Sequence, residues 1–440
     1  MSILSSSQKK STIWLIADRV IAAGLGFFVT ILVARYLAPE LYGKLSYLIA
    51  VTMILGPLMS LGLNGIITRE VINRSLDTGV ILGTAVLLRL AMGLMVLGLF
   101  AATVYYFDLT EFGMEALFLI GASTFNAGLV FDFWLQSKLM NDLAAKLRIA
   151  LSLMAAIARV YGVDAEYSFS WFIGVQVTHW ILIGISFTGV FLWKRDSVQK
   201  LRLNVSEASY LLRSGGFLMI SGVAAIIYLK IDQVMIANML GNSAVGHYAI
   251  AAKLSEIWYF LPQAVVISVF PMILKMRSES SKLYYEYIQR LNNGLFFSAV
   301  LIALSVTFSA NWLIGYFFGP AYAPAASVLI VHIWGGTFIF MRVLVSRWLL
   351  AENFLKLSMA TQMVGAAINV VANIIFIPRY GIEGAAYATL ASYFFSTYVI
   401  LCFDEGASKM RDIITRSLFY PIILIYEKLV KRRRFLEKAD

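Results

Sequence analysis

The chain has 440 residues, of which 60% are hydrophobic and 14% charged, and a net charge of +11. Soluble domains carry about 25% charged residues, so this balance excludes a large water-soluble domain and defines a polytopic membrane protein. The single cysteine (Cys402) and three scattered histidines exclude an intrachain disulfide and a cysteine-based metal cluster. No zinc-protease, nucleophile-elbow or nucleotide-binding motif occurs, so neither a catalytic centre nor a cofactor is expected.

A bilayer crossing needs about 20 apolar residues. Runs of that length fall at 13–34, 45–67, 80–106, 115–136, 146–163 and 171–193 in the first half. In the second half they fall at 214–240, 245–274, 292–318, 325–350, 357–377 and 382–403. The first run contains Asp18 and Arg19 and ends without a cleavage site, so it reads as a helix rather than a signal peptide. The expected fold is all-α, with about twelve transmembrane helices in two six-helix lobes around a central cavity. The first lobe and its following loop occupy 1–200, the second lobe 201–404, and a basic tail 405–440. The tail holds a short apolar run, 417–426, ahead of "KRRR" at 431–434. That pattern fits a segment lying at the interface over anionic lipid, and equally a disordered basic tail.

Orientation follows from lysine and arginine, which accumulate in cytoplasmic loops. With the N-terminus inside, the inside segments hold 26 of these residues and the outside segments three: Arg35, Lys44 and Arg379. Both termini are therefore expected in the cytoplasm. The basic residues are spread over many loops, so the net charge reflects topology, and no nucleic-acid partner is expected.

Two stretches resemble one another. "RYLAPELYGKLSY" starts at Arg35 and "NMLGNSAVGHYAI" at Asn238, an offset of 203 residues. In each, a helix ends in a short turn and a glycine (Gly43, Gly246) opens the next. "YGIEGAAYATL", between the last two helices, is a third relative. Duplicated bundles facing each other across a midplane cavity are characteristic of secondary transporters.

Together with "SLGLNGIITRE" and "KIDQVMIANMLGNSAVGHYAIAAKLSEI", these motifs resemble the O-antigen flippases (Wzx-type polysaccharide exporters) of the multidrug/oligosaccharidyl-lipid/polysaccharide exporter superfamily, over about residues 10–400. The resemblance implies a substrate of undecaprenyl pyrophosphate bearing an oligosaccharide repeat unit. This lipid would move from the cytoplasmic to the periplasmic leaflet of a bacterial inner membrane, by alternating access coupled to an ion gradient. The pathway's O-antigen polymerase and chain-length regulator would be partners, along with membrane lipids, in lipopolysaccharide biosynthesis.

A charge at the bilayer centre costs about 2.5–3.5 kcal/mol, so each intramembrane cation needs a wet cavity or a partner. Seven stand inside the expected helices: Arg19, Arg89, Arg159, Lys230, Lys253, Arg342 and Arg347. Arg159 is near a helix end and is set aside as snorkelling. Lys230 and Lys253 flank the turn at Gly241–Asn242 at similar distances, beside Asp232 and Glu256. These four read either as a network fastening two helices or as an ion-responsive cluster. Arg89, Arg342 and Arg347, with Asp18 and Arg19, make the cytoplasmic half of the membrane region positive. Arginine's planar fork suits phosphate oxygens, so Arg89, Arg342, Arg347, Arg19, Lys230 and Lys253 are the expected substrate-binding residues. Asp232, Glu256 and Asp18 are the expected coupling acids.

A drug/cation antiporter of the same superfamily is the alternative, and it would need an acidic cavity. A membrane-embedded O-antigen polymerase or ligase would need a larger outward loop than those carrying Asp108, Glu111, Asp164 and Glu166.

Overall fold

The structure, a computed structural model, describes residues 6–74, 77–107, 110–194 and 200–419, without the side chains of 6–13, 15–17, 19, 20 and 110–112. The tail from 420, with its basic run, lies outside the described residues, as do Asp108 and the side chains of Arg19 and Glu111.

Among the described residues the chain is helical and has no strand. Nine helical spans among the described residues are long and apolar enough to cross a membrane. Two of these are too long for one crossing. α1 (Ser6–Ser60) has 55 residues, about 80 Å at 1.5 Å per residue against a hydrocarbon core of about 30 Å. It breaks at Ala38, which has φ 55° and ψ 173° and is followed by Pro39. α14 (Leu355–Thr397) likewise breaks at Gly381. Between them run α2 (Asn64–Asn73), α3 (Thr78–Tyr106), α4 (Thr110–Thr124), α5 (Val130–Ser137), α6 (Asn141–Asp164), α7 (Phe169–Lys194), α8 (Val205–Leu240), α9 (Asn242–Glu256), α10 (Phe260–Glu279), α11 (Ser281–Phe318), α12 (Ala325–His332) and α13 (Gly335–Ala351). α6 carries too many charges to count among the nine, yet its 24 residues span a bilayer. With α1 and α14 each counted as two crossings and α6 added, the nine become twelve.

Apolar side chains point outward along these helices. Leu94, Leu99, Met154, Ile157, Ile185, Leu301 and Phe308 are each more than half exposed. Large outward apolar surface on helices of this length is what a lipid solvent demands, and the chain is a multi-pass membrane protein.

The halves meet at one end and separate at the other. One core cluster takes residues from both, including Val33, Leu37 and Leu48 of α1, Ile236 of α8, Tyr248 of α9 and Ile314 of α11. At this end Tyr322, in the turn after α11, donates from its hydroxyl to the Ala34 carbonyl at 2.9 Å. Toward the opposite end the cores divide. One cluster is built from α10, α11, α13 and the helix over 408–419. The other is built from α2, α3, α5, α6 and α7 and the turn between α1 and α2. The start of α1 and the 408–419 helix both lie at this divided end.

The exception is the start of α8, which packs with the first half. Asn204 caps α8 by accepting from the Glu207 amide at 3.0 Å. Arg202 N–H donates to Gly79 O at 3.1 Å, and Leu211 is buried in the first-half core. Arg74 donates two hydrogen bonds to Glu207, at 2.8 and 2.9 Å. Farther along, Ala224 and Tyr228 of the same helix join a second-half cluster with Ile339, Ala366 and Tyr393.

Candidate functional site: two cation-bearing cavities

The larger cavity, about 640 Å³, lies between the second arm of α1, α3, α4, α7 and the middle of α8. Among the described residues that line it, Arg89 is the one charged side chain. Arg89 is 4% exposed. It donates to Asn64 Oδ1 at 2.5 Å and lies 5.6 Å from the centre of the Phe133 ring. Its Nε is buried with no partner. A buried guanidinium with no carboxylate and an unmet donor is poised to take a hydrogen-bond acceptor, and a charged acceptor makes the stronger bond.

A smaller cavity, about 260 Å³, sits between both arms of α1, α6, α7 and α9. Arg159, Lys253 and His179 line it together, with Gln176, Tyr42 and Thr30, and no carboxylate stands among the described lining residues. Arg159 donates to Gln176 Oε1 at 2.6 Å. Lys253 is exposed to the cavity, and neither cation has an ion-pair partner among the described residues. Two cations from opposite halves of the chain thus face one cavity. The expectation that Arg159 snorkels is corrected here. It sits on the same face of α6 as Ser152, Ala155 and Ala156, and that face turns inward to the cavity. This run of small residues, followed by arginine at helical spacing, was the signal in the sequence.

The expected four-charge cluster on α8 and α9 is divided into three. Lys230 Nζ donates to both Glu256 carboxylate oxygens, at 3.1 and 3.2 Å. Lys253 faces Arg159 across the smaller cavity. Asp232, only 2% exposed, touches neither lysine. Its carboxylate accepts from Tyr248 Oη at 2.5 Å, Thr389 Oγ1 at 2.6 Å and Asn373 Nδ2 at 2.7 Å. Asn369 Oδ1 accepts from the same Asn373 amide at 3.0 Å. Asn373 Oδ1 and Asn369 Nδ2 are buried without partners. The reason for the division is helical rotation: Lys230 and Asp232, two residues apart, point to different faces of α8.

The arginines of α13 do not converge with Arg89. Arg342 is 5% exposed. It donates to the Ser396 carbonyl and, at 2.6 Å, to Thr361 Oγ1, both on α14. Arg347 is exposed on α13. Asp18 joins a first-half triad in which Arg148 donates to Asp18 at 2.8 Å and to Asp132 at 2.9 Å. Charge counting from sequence did not reach the neutral groups that matter here: Gln176 at the smaller cavity, and Tyr248, Asn373 and Thr389 around Asp232. A visible hint was the pair Asn369 and Asn373, one turn apart in an otherwise apolar run.

Two repeated bundles joined at one end, with charged cavities between and within them, define a transporter-type membrane fold. The chain belongs to the polysaccharide biosynthesis protein family, whose pattern matches residues 9–277. It is 24% identical over 239 residues to a probable low-salt glycan biosynthesis flippase of Haloferax volcanii, covering 54% of this chain and 48% of that protein. A putative O-antigen transporter of Salmonella typhi is 25% identical over 222 residues, 48% of each chain. The chain thus spans about half the length of the curated relatives it matches. Among solved structures it is similar to the lipid II flippase MurJ in an inward closed conformation, with a TM-score of 0.70 and 16% identity over 95% of this chain and 92% of that one. It is also similar to an inward-facing multidrug resistance MATE family transporter, with a TM-score of 0.71 and 12% identity over 91% of this chain and 99% of that one. At these identities the structural likeness establishes the fold.

Proposed function

We propose that this protein is a flippase for lipid-linked oligosaccharides, of the undecaprenyl-pyrophosphate O-antigen type, moving them from the cytoplasmic to the periplasmic leaflet by alternating access. The observation that carries this reading is the charge of the cavities. Arg89, Arg159 and Lys253 face them, and no carboxylate stands among the described lining residues. An exporter of cationic drugs needs the opposite sign. A pyrophosphate carries anionic oxygens that two convergent cations can hold, and charge-assisted bonds keep their strength where water is scarce. The names of the flippase and O-antigen relatives support the same substrate class.

With the termini in the cytoplasm, the orientation that the distribution of basic residues supports, the joined end is periplasmic and the divided end admits substrate from the cytoplasm. Asp232 is the coupling group in this reading. It is a buried carboxylate without a cation, ringed by oxygen and amide groups from α9 and α14, and protonation or a monovalent cation would change the balance of that ring.

The test is reconstitution of the full chain in proteoliposomes with a fluorescent polyprenyl-pyrophosphoryl oligosaccharide. The wild type should translocate it, and Arg159→Ala with Lys253→Ala should lose most of the rate at normal protein level. Equal translocation by the double variant, or preference for a cationic dye over the pyrophosphate lipid, would overturn the reading.

A further inference from the structure

A third cavity, about 530 Å³, lies outside the transport path, between the first turns of α11 and the helix over 408–419. We propose that it binds the phosphodiester headgroup of an anionic phospholipid. Four cations line it: Lys282 and Arg290 from α11, Lys409 and Arg416 from the facing helix. Two acids line it as well. Asp412 is already engaged by Arg411 at 2.8 Å, so it offsets little of this charge, and Glu286 sits one turn from both Lys282 and Arg290. The cations therefore outnumber the free carboxylates.

The groove is built rather than a loose surface cluster. Gln289 donates to Ile413 O at 3.1 Å and to Ser417 Oγ at 3.1 Å. Asn292 donates to Ser417 Oγ at 2.7 Å, and both Asn292 and Ser417 are fully buried. Lys409 lies 4.6 Å from the centre of the Tyr285 ring, which holds its ammonium at the groove edge.

The ligand class follows from what lies next to the groove. Stepping from Arg290 by three or four residues along one face of α11 gives Gly294, Phe297, Leu301, Leu304 and Phe308. Gly294 has open space where a side chain would be, and the other four are exposed apolar residues. One helix face is thus cationic at the divided end and apolar as it enters the membrane. Phe419, at the membrane-side end of the facing helix, is 51% exposed. A free phosphate would use only the cationic part, whereas a phospholipid uses both, its chains running down the apolar stripe. Basic pockets at the cytoplasmic ends of transmembrane helices recognise lipid headgroups in this way.

The experiment uses the full chain in neutral detergent. Thermal unfolding and native mass spectrometry are followed with phosphatidylglycerol, phosphatidylcholine or inorganic phosphate added. Phosphatidylglycerol should raise the midpoint and be retained as a bound lipid, while phosphatidylcholine and phosphate at equal concentration should not. Each surface cation contributes about fivefold to such binding, so Lys282→Gln, Lys409→Gln and Arg416→Gln together should weaken it by on the order of a hundredfold. All three are exposed, so the variant's lipid-free midpoint should match wild type. If that midpoint falls, the retained-lipid count decides on the single variants instead. An equal response to phosphatidylcholine, an equal response to inorganic phosphate, or undiminished retention in the variants would each overturn the assignment.

Discussion

Gly43 and Gly246 stand back to back, each occupying the space that a side chain on the other repeat's turn would need. A Cβ on Gly43 would collide with the Asn242 carbonyl and the Gly246 amide, and a Cβ on Gly246 would collide with the Pro39 carbonyl. Pro39 and Asn242 are themselves separated by the 203-residue repeat offset, so the contact is reciprocal, as across a pseudo-two-fold axis. The glycines that open each second helix thus also let the two repeats touch backbone to backbone at the joined end. A methyl group at either position must push the halves apart there.

Gly43→Ala should therefore shift the protein toward opening at the joined end. The check is labelling of Ser46→Cys, which lines the smaller cavity, in a Cys402→Ser background, since Cys402 is exposed. A membrane-impermeant maleimide applied from the side of the joined end should react several-fold faster in the alanine variant. Unchanged labelling would show that the contact does not gate access.

Tyr322→Phe removes the hydroxyl that joins the second half to the Ala34 carbonyl. A hydrogen bond of this type is worth about 0.5–1.5 kcal/mol net, or roughly two- to tenfold in an equilibrium. The same labelling assay should register that shift, without loss of membrane protein level because the ring remains packed against Tyr42 and Phe318. A labelling rate equal to wild type would remove Tyr322 from the gate.

Ala38 occupies a backbone region that is nearly exclusive to glycine, with φ 55° and ψ 173°. The equivalent residue of the second repeat is Gly241, with φ 87° and ψ 175°. Such strain costs about 1–3 kcal/mol, and glycine gives back up to about 1 kcal/mol through the unfolded chain. Ala38→Gly should stabilise the fold by a net of about 1 kcal/mol and so raise the thermal unfolding midpoint in detergent. A lower midpoint would mean that the alanine side chain contributes more by packing than its backbone loses.

Much of this fold was legible because each signal was local. Helix count came from apolar runs, and the turns came from "RYLAPELYG" and its copy at Asn238. The two broken helices, α1 and α14, still read as pairs, because Pro39 and Gly381 lie where the runs divide. The site was less legible, because its contacts depend on helix rotation and on chain segments far apart. Lys230 and Asp232 are neighbours in sequence, yet one finds Glu256 and the other finds Tyr248, Asn373 and Thr389. Arg342 looked like a cavity arginine until Ser396 and Thr361 took up its guanidinium. A charge count cannot foresee a neutral partner on a helix 54 residues away.

The linker into the second half is held by an ion pair between Arg74 and Glu207. Glu207 raises the basicity of the Arg74 guanidinium by direct hydrogen bonding, and the paired groups hold the start of α8 on α2. Arg74→Ala should free residues 200–204 and speed tryptic cleavage after Lys200 and Arg202 in membrane vesicles open to the cytoplasmic face. The pair is partly exposed, so global stability should change little. Cleavage at the wild-type rate would show that the backbone bonds from Arg202 N–H to Gly79 O and from Asn204 N–H to Thr84 Oγ1 suffice.

The two buried charge sites of α8 can be separated by substitution. Lys230 and Glu256 are paired and mostly buried, so Lys230→Met leaves a lone carboxylate, whose exposure to an apolar setting is costly. The double variant Lys230→Met with Glu256→Gln removes both charges and should recover most of the lost protein level. Asp232 has no such compensating partner. Asp232→Asn keeps the shape but offers one acceptor oxygen where the carboxylate has two, so one of its three donors is left unmet, at about 1–3 kcal/mol. Adding Lys230→Met to Asp232→Asn should give summed losses, because the two groups do not touch and share no partner. In proteoliposomes, Asp232→Asn should also lose the dependence of translocation on an imposed proton or sodium gradient, whereas the Lys230/Glu256 double variant should keep it. A gradient response retained in Asp232→Asn would move the coupling site elsewhere. Rescue of Asp232→Asn by Lys230→Met would restore the single four-charge cluster that the geometry divides.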